Sequence, residues 1–303
     1  MPFSSLQPLA CNAQIMDQQL VQLLVNGIAV GSVIALAAVG LTLTYGILRL
    51  ANFAHGDLMT LGAYLTLTAN LNGVNIWLSI LMGALLTIGV ALLSEKLLWS
   101  PMRDRRASST TLIIISIGLA LFLRNGITLL WGPENQRYEL PVATALDIFG
   151  VRIAPTRLIV VGLAILAILG LHYLLQHTKI GKAMRAVADN TDLARVSGID
   201  VDRVVIWTWV LAAGLTAIAG GMFGLITAVR PNMGWFLIMP MFASVILGGI
   251  GNPYGAIAGA YIIGIVQELS TYVLPSEYKL GVALMVMILV LLVRPQGLFR
   301  GMI

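Results

Sequence analysis

Bilayer-length apolar runs recur along this chain, and they constrain it more than anything else. A helix needs about 20 apolar residues to cross the hydrocarbon layer. Such runs cover 20–48, 51–71, 76–98, 110–131, 158–175, 204–229, 236–250, 254–272 and 280–293. The second is interrupted by polar residues and the seventh is short, so eight or nine spans are expected. Lipid offers the backbone no hydrogen-bond partner, so such runs fold as helices. The expectation is an all-α polytopic membrane protein, some of its helices broken, forming one transmembrane domain over 1–303.

Composition agrees. Of 303 residues, 58% are hydrophobic and 10% charged, against about 25% charged in soluble domains. Mean hydropathy is +0.92. The longest predicted outer loop, Gly132–Thr156, is too short for a domain. A lone cysteine, Cys11, excludes an intrachain disulfide and leaves no Cys-based metal site. Residues 1–18 read as an extracytoplasmic tail, with no secretory signal in the first fifteen residues.

The net charge of +5 is a topology signal rather than a nucleic-acid signal. Loops alternating from an outer N-terminus put Arg49, Lys96, Arg103, Arg105, Arg106, Lys179, Lys182, Arg185, Arg195, Arg203, Arg294 and Arg300 inside. Arg137, Arg152, Arg157, Arg230 and Lys279 fall outside, balanced by acidic residues. That bias predicts N-out, C-in. All six tryptophans fall near predicted span ends, as expected of rings at the headgroup layer.

The most polar stretch is His177–Arg203, on the inner side. Ile180, Ala183, Met184, Val187 and Ala188 share helical spacing, so one stripe is apolar while Lys182, Arg185 and Asp189 lie opposite. Asn190 or Thr191 can cap a second short helix and Gly198 can close it. By itself such a helix could lie on anionic lipid or dock a partner.

Two further stretches stand out. Asn52, His55, Gly56 and Asp57 interrupt the second run. Ionisable groups at membrane depth usually face a cavity or the bundle interior. The stretch reads either as a broken helix beside a translocation path or as a helix cap at the interface. Gly248, Gly249, Gly251 and Asn252 form a glycine-rich turn, with Gly251, Gly255 and Gly259 four apart for close helix approach. It reads as a tight hairpin or a flexible gate. Both stretches pair an Asn with a later Gly-Ala-Tyr, which hints at an internal repeat. Arg124, Asn125, Asn26, Gln267 and Glu268 are polar residues within spans; each reads either as a contact for a polar solute or partner subunit or as a packing or snorkelling residue, the second being the reading favoured for Arg124.

The sequence contains no phosphate-binding G-x-x-x-x-G-K-[ST], no H-E-x-x-H and no Ser-His-Asp pattern. The chain therefore does not hydrolyse ATP by a P-loop. An ion-coupled secondary transporter would need buried charge pairs or broken helices in both halves, and only Asp57, Arg124 and Glu268 are available. A membrane-embedded enzyme would need convergent catalytic groups that are not found.

Four motifs coincide in order: TLTYGILRLANFAHGDLMTLGAY from Thr42, GKAMRAVADN from Gly181 followed by LARVSGIDVDR, ILGGIGNPYGAIAGA from Ile246, and LVRPQGLF from Leu292. Together they resemble the LivH-type permease subunits of ABC importers for branched-chain and other neutral amino acids. The length and the Asn52–Tyr64 stretch look especially like the cyanobacterial neutral amino acid branch. The resemblance implies a non-catalytic subunit in the bacterial plasma membrane, with no cofactor of its own. It implies a second homologous permease subunit, two cytoplasmic ATPase subunits that bind the ATP, and a periplasmic amino-acid-binding protein. It identifies 177–203 as the coupling loop, with Ile180, Gly181, Lys182, Ala183, Met184, Arg185, Ala186, Val187, Asn190 and Gly198 at the ATPase joint. The sequence departs from the wider importers' EAA consensus, so positions within that loop align only approximately. Permeases of urea importers share the motifs and form the alternative.

Overall fold

The computed structural model describes residues 7–140, 144–148 and 151–299, with side chains from 18 onward apart from those at 148, 151 and 152. The elements, in order, are α1 (Gln7–Leu48), α2 (His55–Leu71), α3 (Ile76–Ser94), a π-helical turn Glu95–Trp99, α4 (Ser100–Asp104), α5 (Ser109–Trp131), β1 (Leu146–Ile148), β2 (Val151–Ile153), α6 (Pro155–His177), α7 (Lys179–Asp189), α8 (Thr191–Val196), α9 (Val201–Ile226), α10 (Met233–Gly248), α11 (Pro253–Ser270), a 3-10 turn Ser276–Tyr278 and α12 (Lys279–Val293).

All nine apolar runs are helices, most of them within three residues of their sequence-derived limits. They pack into one bundle with two ends. One end carries α7 and α8; the other carries the β-hairpin. At the start, α1 already includes residues 7–18 of the expected outer tail.

Among the described residues, six helical stretches are long and apolar enough to cross a membrane: 18–48, 76–104, 109–131, 155–177, 201–226 and 276–293. The other three runs, α2, α10 and α11, are 17, 16 and 18 residues long. Most of their residues are buried by neighbouring helices. A helix wrapped in protein needs neither full length nor a lipid-facing surface, which explains why α2 and α10 were hard to read as spans.

Helix α1 is the axis of the fold. Residues Val33 to Val39 are at most 1% exposed on every side, as expected of a helix that is apolar all round. It packs most extensively on α11, where Gly27, Gly31 and Gly264 bring the two backbones together. Ser32 Oγ and Tyr261 Oη, 3.0 Å apart, join the pair. Helices α5, α6 and α12 pack on the outside and present exposed leucines and isoleucines.

Two tryptophans depart from the expected headgroup belt. Trp99 and Trp209 are 1% exposed and stack with ring centres 6.3 Å apart. The Trp209 indole N–H donates to Glu95 Oε2 at 2.6 Å, and Glu95 also pairs with Arg103. The π-helical turn at Glu95–Trp99 places these side chains inward. An indole near a span end can serve as core when a carboxylate satisfies its N–H. Trp77, Trp207 and Trp235 do keep exposed faces.

At the opposite end, the polar connection after α5 is more ordered than its composition suggested. Strands β1 and β2 pair antiparallel, with Asp147 opposite Arg152. Alternation in Leu-Asp-Ile and Val-Arg-Ile is the sequence signal for that hairpin. Gln136 and Val229 exchange two backbone bonds of 2.9 Å, strapping this connection to the α9–α10 link. Tyr138 packs its ring against Gly224 and donates to the Ala63 carbonyl at 3.2 Å. Burial raises its phenol well above the usual range, so it stays a donor.

Candidate functional site

The polar stretch after α1 is assembled inside the bundle. Arg49 ends α1 with φ +53°, and the chain turns back without helix until His55. Asn52 Oδ1 accepts from the Ala54 N–H at 3.0 Å, and the Phe53 N–H donates to Ser116 Oγ at 3.1 Å. His55 Nε2 lies 2.9 Å from the Ala37 carbonyl oxygen and 2.7 Å from Thr216 Oγ1. A carbonyl only accepts, so Nε2 carries the proton. Ala37 is eleven residues before the end of α1, about 16 Å along its axis. Helix α2 therefore starts at depth, not at the bundle's end.

Of the two readings of this stretch, the broken helix finds no break at Gly56. Helix α2 is continuous from His55 to Leu71. Gly56 instead meets Gly234 of α10 backbone to backbone, with no room for a Cβ on either. The Gly234 N–H donates to Thr60 Oγ1 at 3.0 Å beside that contact. Asn52, His55 and Asp57 are at most 1% exposed, so none of them reaches a surface of this chain.

Asp57 is tied to Arg124 of α5, whose Nε and Nη2 donate to its two carboxylate oxygens at 3.1 and 3.0 Å. The guanidinium also lies 4.6 Å over the Trp235 ring. Bidentate pairing and ring stacking both suit a planar guanidinium and not an ammonium. Arg124 was expected to pack or snorkel; it is instead the partner of Asp57. The signal was two opposite charges inside apolar runs, but their 67-residue separation hid the pairing. Glu268 likewise has a local partner, Lys279 at 2.6 Å.

The glycine-rich turn is a tight hairpin. Gly248 and Gly255 touch backbone to backbone, and Gly259 packs on Ser244. Gly249 and Gly251 take φ of +103° and +85°, open to glycine alone at little cost. Gly251 lies in the turn rather than in the helix, so the useful spacing starts at Gly255. Asn252 caps α11 by accepting from the Tyr254 and Gly255 N–H groups at 3.0 and 3.2 Å. The closing motif covers this turn, with the Leu298 and Phe299 N–H groups donating to the Leu247 and Gly248 carbonyls. Asn52 and Asn252 thus play matching parts, each opening a buried helix after a turn back into the bundle.

The polar loop folds as read, with one shift. Thr178 caps α7 by accepting from the Gly181 N–H at 3.0 Å. Gly181, Met184 and Val187 are buried against α6, α9 and α1. Ile180, Ala183, Ala186 and Ala188 flank that line, and Lys179, Lys182 and Asp189 are exposed. A Cβ on Gly181 would collide with the Leu174 and Leu175 carbonyls. Asn190 caps α8 through the Leu193 N–H at 2.9 Å, and Gly198 follows α8 at φ +84°.

Arg185 is the correction. Expected on the open basic face, it turns back and donates to the Leu175 carbonyl at 2.6 Å and Gln176 Oε1 at 2.9 Å. The Gln176 amide donates to Tyr254 Oη at 3.3 Å, and His172 Nδ1 lies 2.7 Å from that hydroxyl. A chain of contacts therefore runs from α7, across the end of α6, to the glycine turn. Sequence reading missed Tyr254 because an aromatic next to a turn proline carries no local signal of a partner 78 residues away.

Residues 23–291 match the family model described as the permease component of branched-chain amino acid transport systems. The high-affinity branched-chain amino acid transport permease LivH of Salmonella typhimurium is 34% identical over 292 residues, covering 91% of this chain and 94% of that one. A probable LivH permease of Methanocaldococcus jannaschii is 32% identical, covering 91% of each chain. The solved PsaBC from Streptococcus pneumoniae, in complex with Fab, matches in fold alone, with a TM-score of 0.53 and 14% identity over 94% of this chain. On the family match and these identities, the chain belongs to the permease-component family of branched-chain amino acid transport systems.

Proposed function

We propose that this chain forms half of the membrane path of an ATP-driven importer for branched-chain and other neutral amino acids. It works in the bacterial plasma membrane beside a second, homologous permease subunit. Two cytoplasmic ATPase subunits bind the ATP, and a periplasmic amino-acid-binding protein delivers the substrate. The α7 end is the cytoplasmic one, as the basic residues of 177–203 suggest.

One observation carries this reading: α7 is seated in the bundle by one face and open on the other. Gly181, Met184 and Val187 fix it to the spanning helices, and Lys182 remains free to meet the ATPase. Beside it, Leu193 and Val196 of α8 are 60% and 82% exposed. Exposed apolar residues ringed by charge fit a protein contact better than water. ATPase closure then pushes a rigid body held at both ends by α6 and α9. Arg185, Gln176 and Tyr254 carry that push to the Gly248–Asn252 turn.

The path itself runs along α2, α5 and α10. Asp57 contributes through Arg124, while Asn52, His55 and Gly56 hold the start of α2 in place. Co-purification tests the assembly. The tagged chain should bring down two ATPase subunits and a second permease in detergent, and a chain recovered alone would contradict it.

A further inference from the structure

A cleft of about 380 Å³ opens at the hairpin end, between α5 and the start of α10. Its lining includes Arg124, Asn125, Asn135, Arg230, Asn232 and Phe236, and no acidic side chain. The walls are fixed, because the Gln136–Val229 bridge ties the two connections that supply Asn135 and Arg230. Arg124 is fixed as well. Asp57 takes its Nε and Nη2, and Trp235 covers one face, which leaves Nη1 unassigned among the described residues. Asn232 stands at the N-terminal end of the 16-residue α10, where the helix dipole favours negative charge. Phe236, 59% exposed, offers the cleft an apolar wall one turn further on.

Two guanidinium groups, three amides and a helix N-terminus make a donor-rich site with an apolar side. We infer that this cleft receives the α-carboxylate of a small zwitterion on Arg124 and Arg230, with its aliphatic side chain against Phe236. The inference rests on the importer reading and names the substrate contact of its outer entrance. Arginine suits this role because its planar fork pairs with both carboxylate oxygens. The Asp57 pair positions Arg124 rather than neutralising the site, since Arg230 adds a second positive charge.

The test uses the assembled importer in proteoliposomes with ATP, supplied with binding protein loaded with labelled L-leucine. Arg230→Gln alters an exposed residue in a connection, so folding is not at stake. Its maximal uptake rate should fall about tenfold, at an unchanged half-saturating concentration of loaded binding protein. Arg230→Lys should restore most of the rate, and Asn135→Ala should lower it in the same sense. Unchanged uptake in Arg230→Gln would overturn the inference. So would a raised half-saturating concentration at an unchanged maximal rate, because Arg230 would then be a docking contact. A wild-type complex that moves no neutral amino acid would instead sink the importer reading, before any variant is compared.

Discussion

Arg124 of α5 holds both carboxylate oxygens of Asp57 at the start of α2, 67 residues earlier in the chain. The two ends of the pair are not equivalent. The Asp57 side chain is 1% exposed, while that of Arg124 is 18% exposed and borders the cleft. Removing the arginine strands a buried anion; removing the aspartate leaves a cation with a route to water.

Arg124→Gln should therefore destabilise the subunit by about 3 kcal/mol or more, and Asp57→Asn by less. The double variant should recover part of the loss. Thermal unfolding of the detergent-solubilised complex measures all three. Equal losses from the two single changes would argue against the asymmetry.

Gly56→Ala and Gly234→Ala should each cost about 1–3 kcal/mol, because each places a methyl against a backbone carbonyl that cannot move alone. Gly89→Ala, which meets open space, should be near neutral. Expression level and melting temperature separate the two classes.

The contrast shows what the sequence made legible. Hydropathy located most of the helices to within a few residues, because lipid forces each run to satisfy its own backbone. The α7 stripe was legible too, although Gly181 rather than Ile180 proves to be at its centre. The capping roles of Asn190 and Gly198 followed from local chemistry. What stayed hidden depends on which helices become neighbours: the Asp57–Arg124 pair, the Trp99–Trp209 stack, and the Arg185–Gln176–Tyr254 chain. The two readings of Gly56 stayed open for the same reason. A glycine that admits a break and one that admits a neighbouring backbone look identical until the neighbour, Gly234, is known.

Tyr254→Phe keeps the ring and removes the hydroxyl that both Gln176 and His172 meet. In the reconstituted importer, uptake per ATP hydrolysed should fall about fivefold, with hydrolysis itself retained. An unchanged ratio would mean that the contact chain transmits nothing.

Gly181→Ala should shift α7 off α6, since the added methyl meets two carbonyls. Hydrolysis should continue while uptake falls, with membrane insertion intact. Full uptake in that variant would remove α7 from the coupling mechanism.

Leu193→Asp combined with Val196→Asp probes the partner-facing surface without touching the bundle. ATPase affinity should weaken by about tenfold or more, with the subunit's own melting temperature unchanged. A drop in melting temperature with normal ATPase binding would mean that the two side chains serve the fold.

The most direct test is uptake of labelled leucine into proteoliposomes containing the full assembly. Uptake should require both ATP and the loaded binding protein, and should disappear in the Leu193→Asp, Val196→Asp variant. Uptake that instead follows an imposed proton or sodium gradient, without ATP, would contradict the importer mechanism.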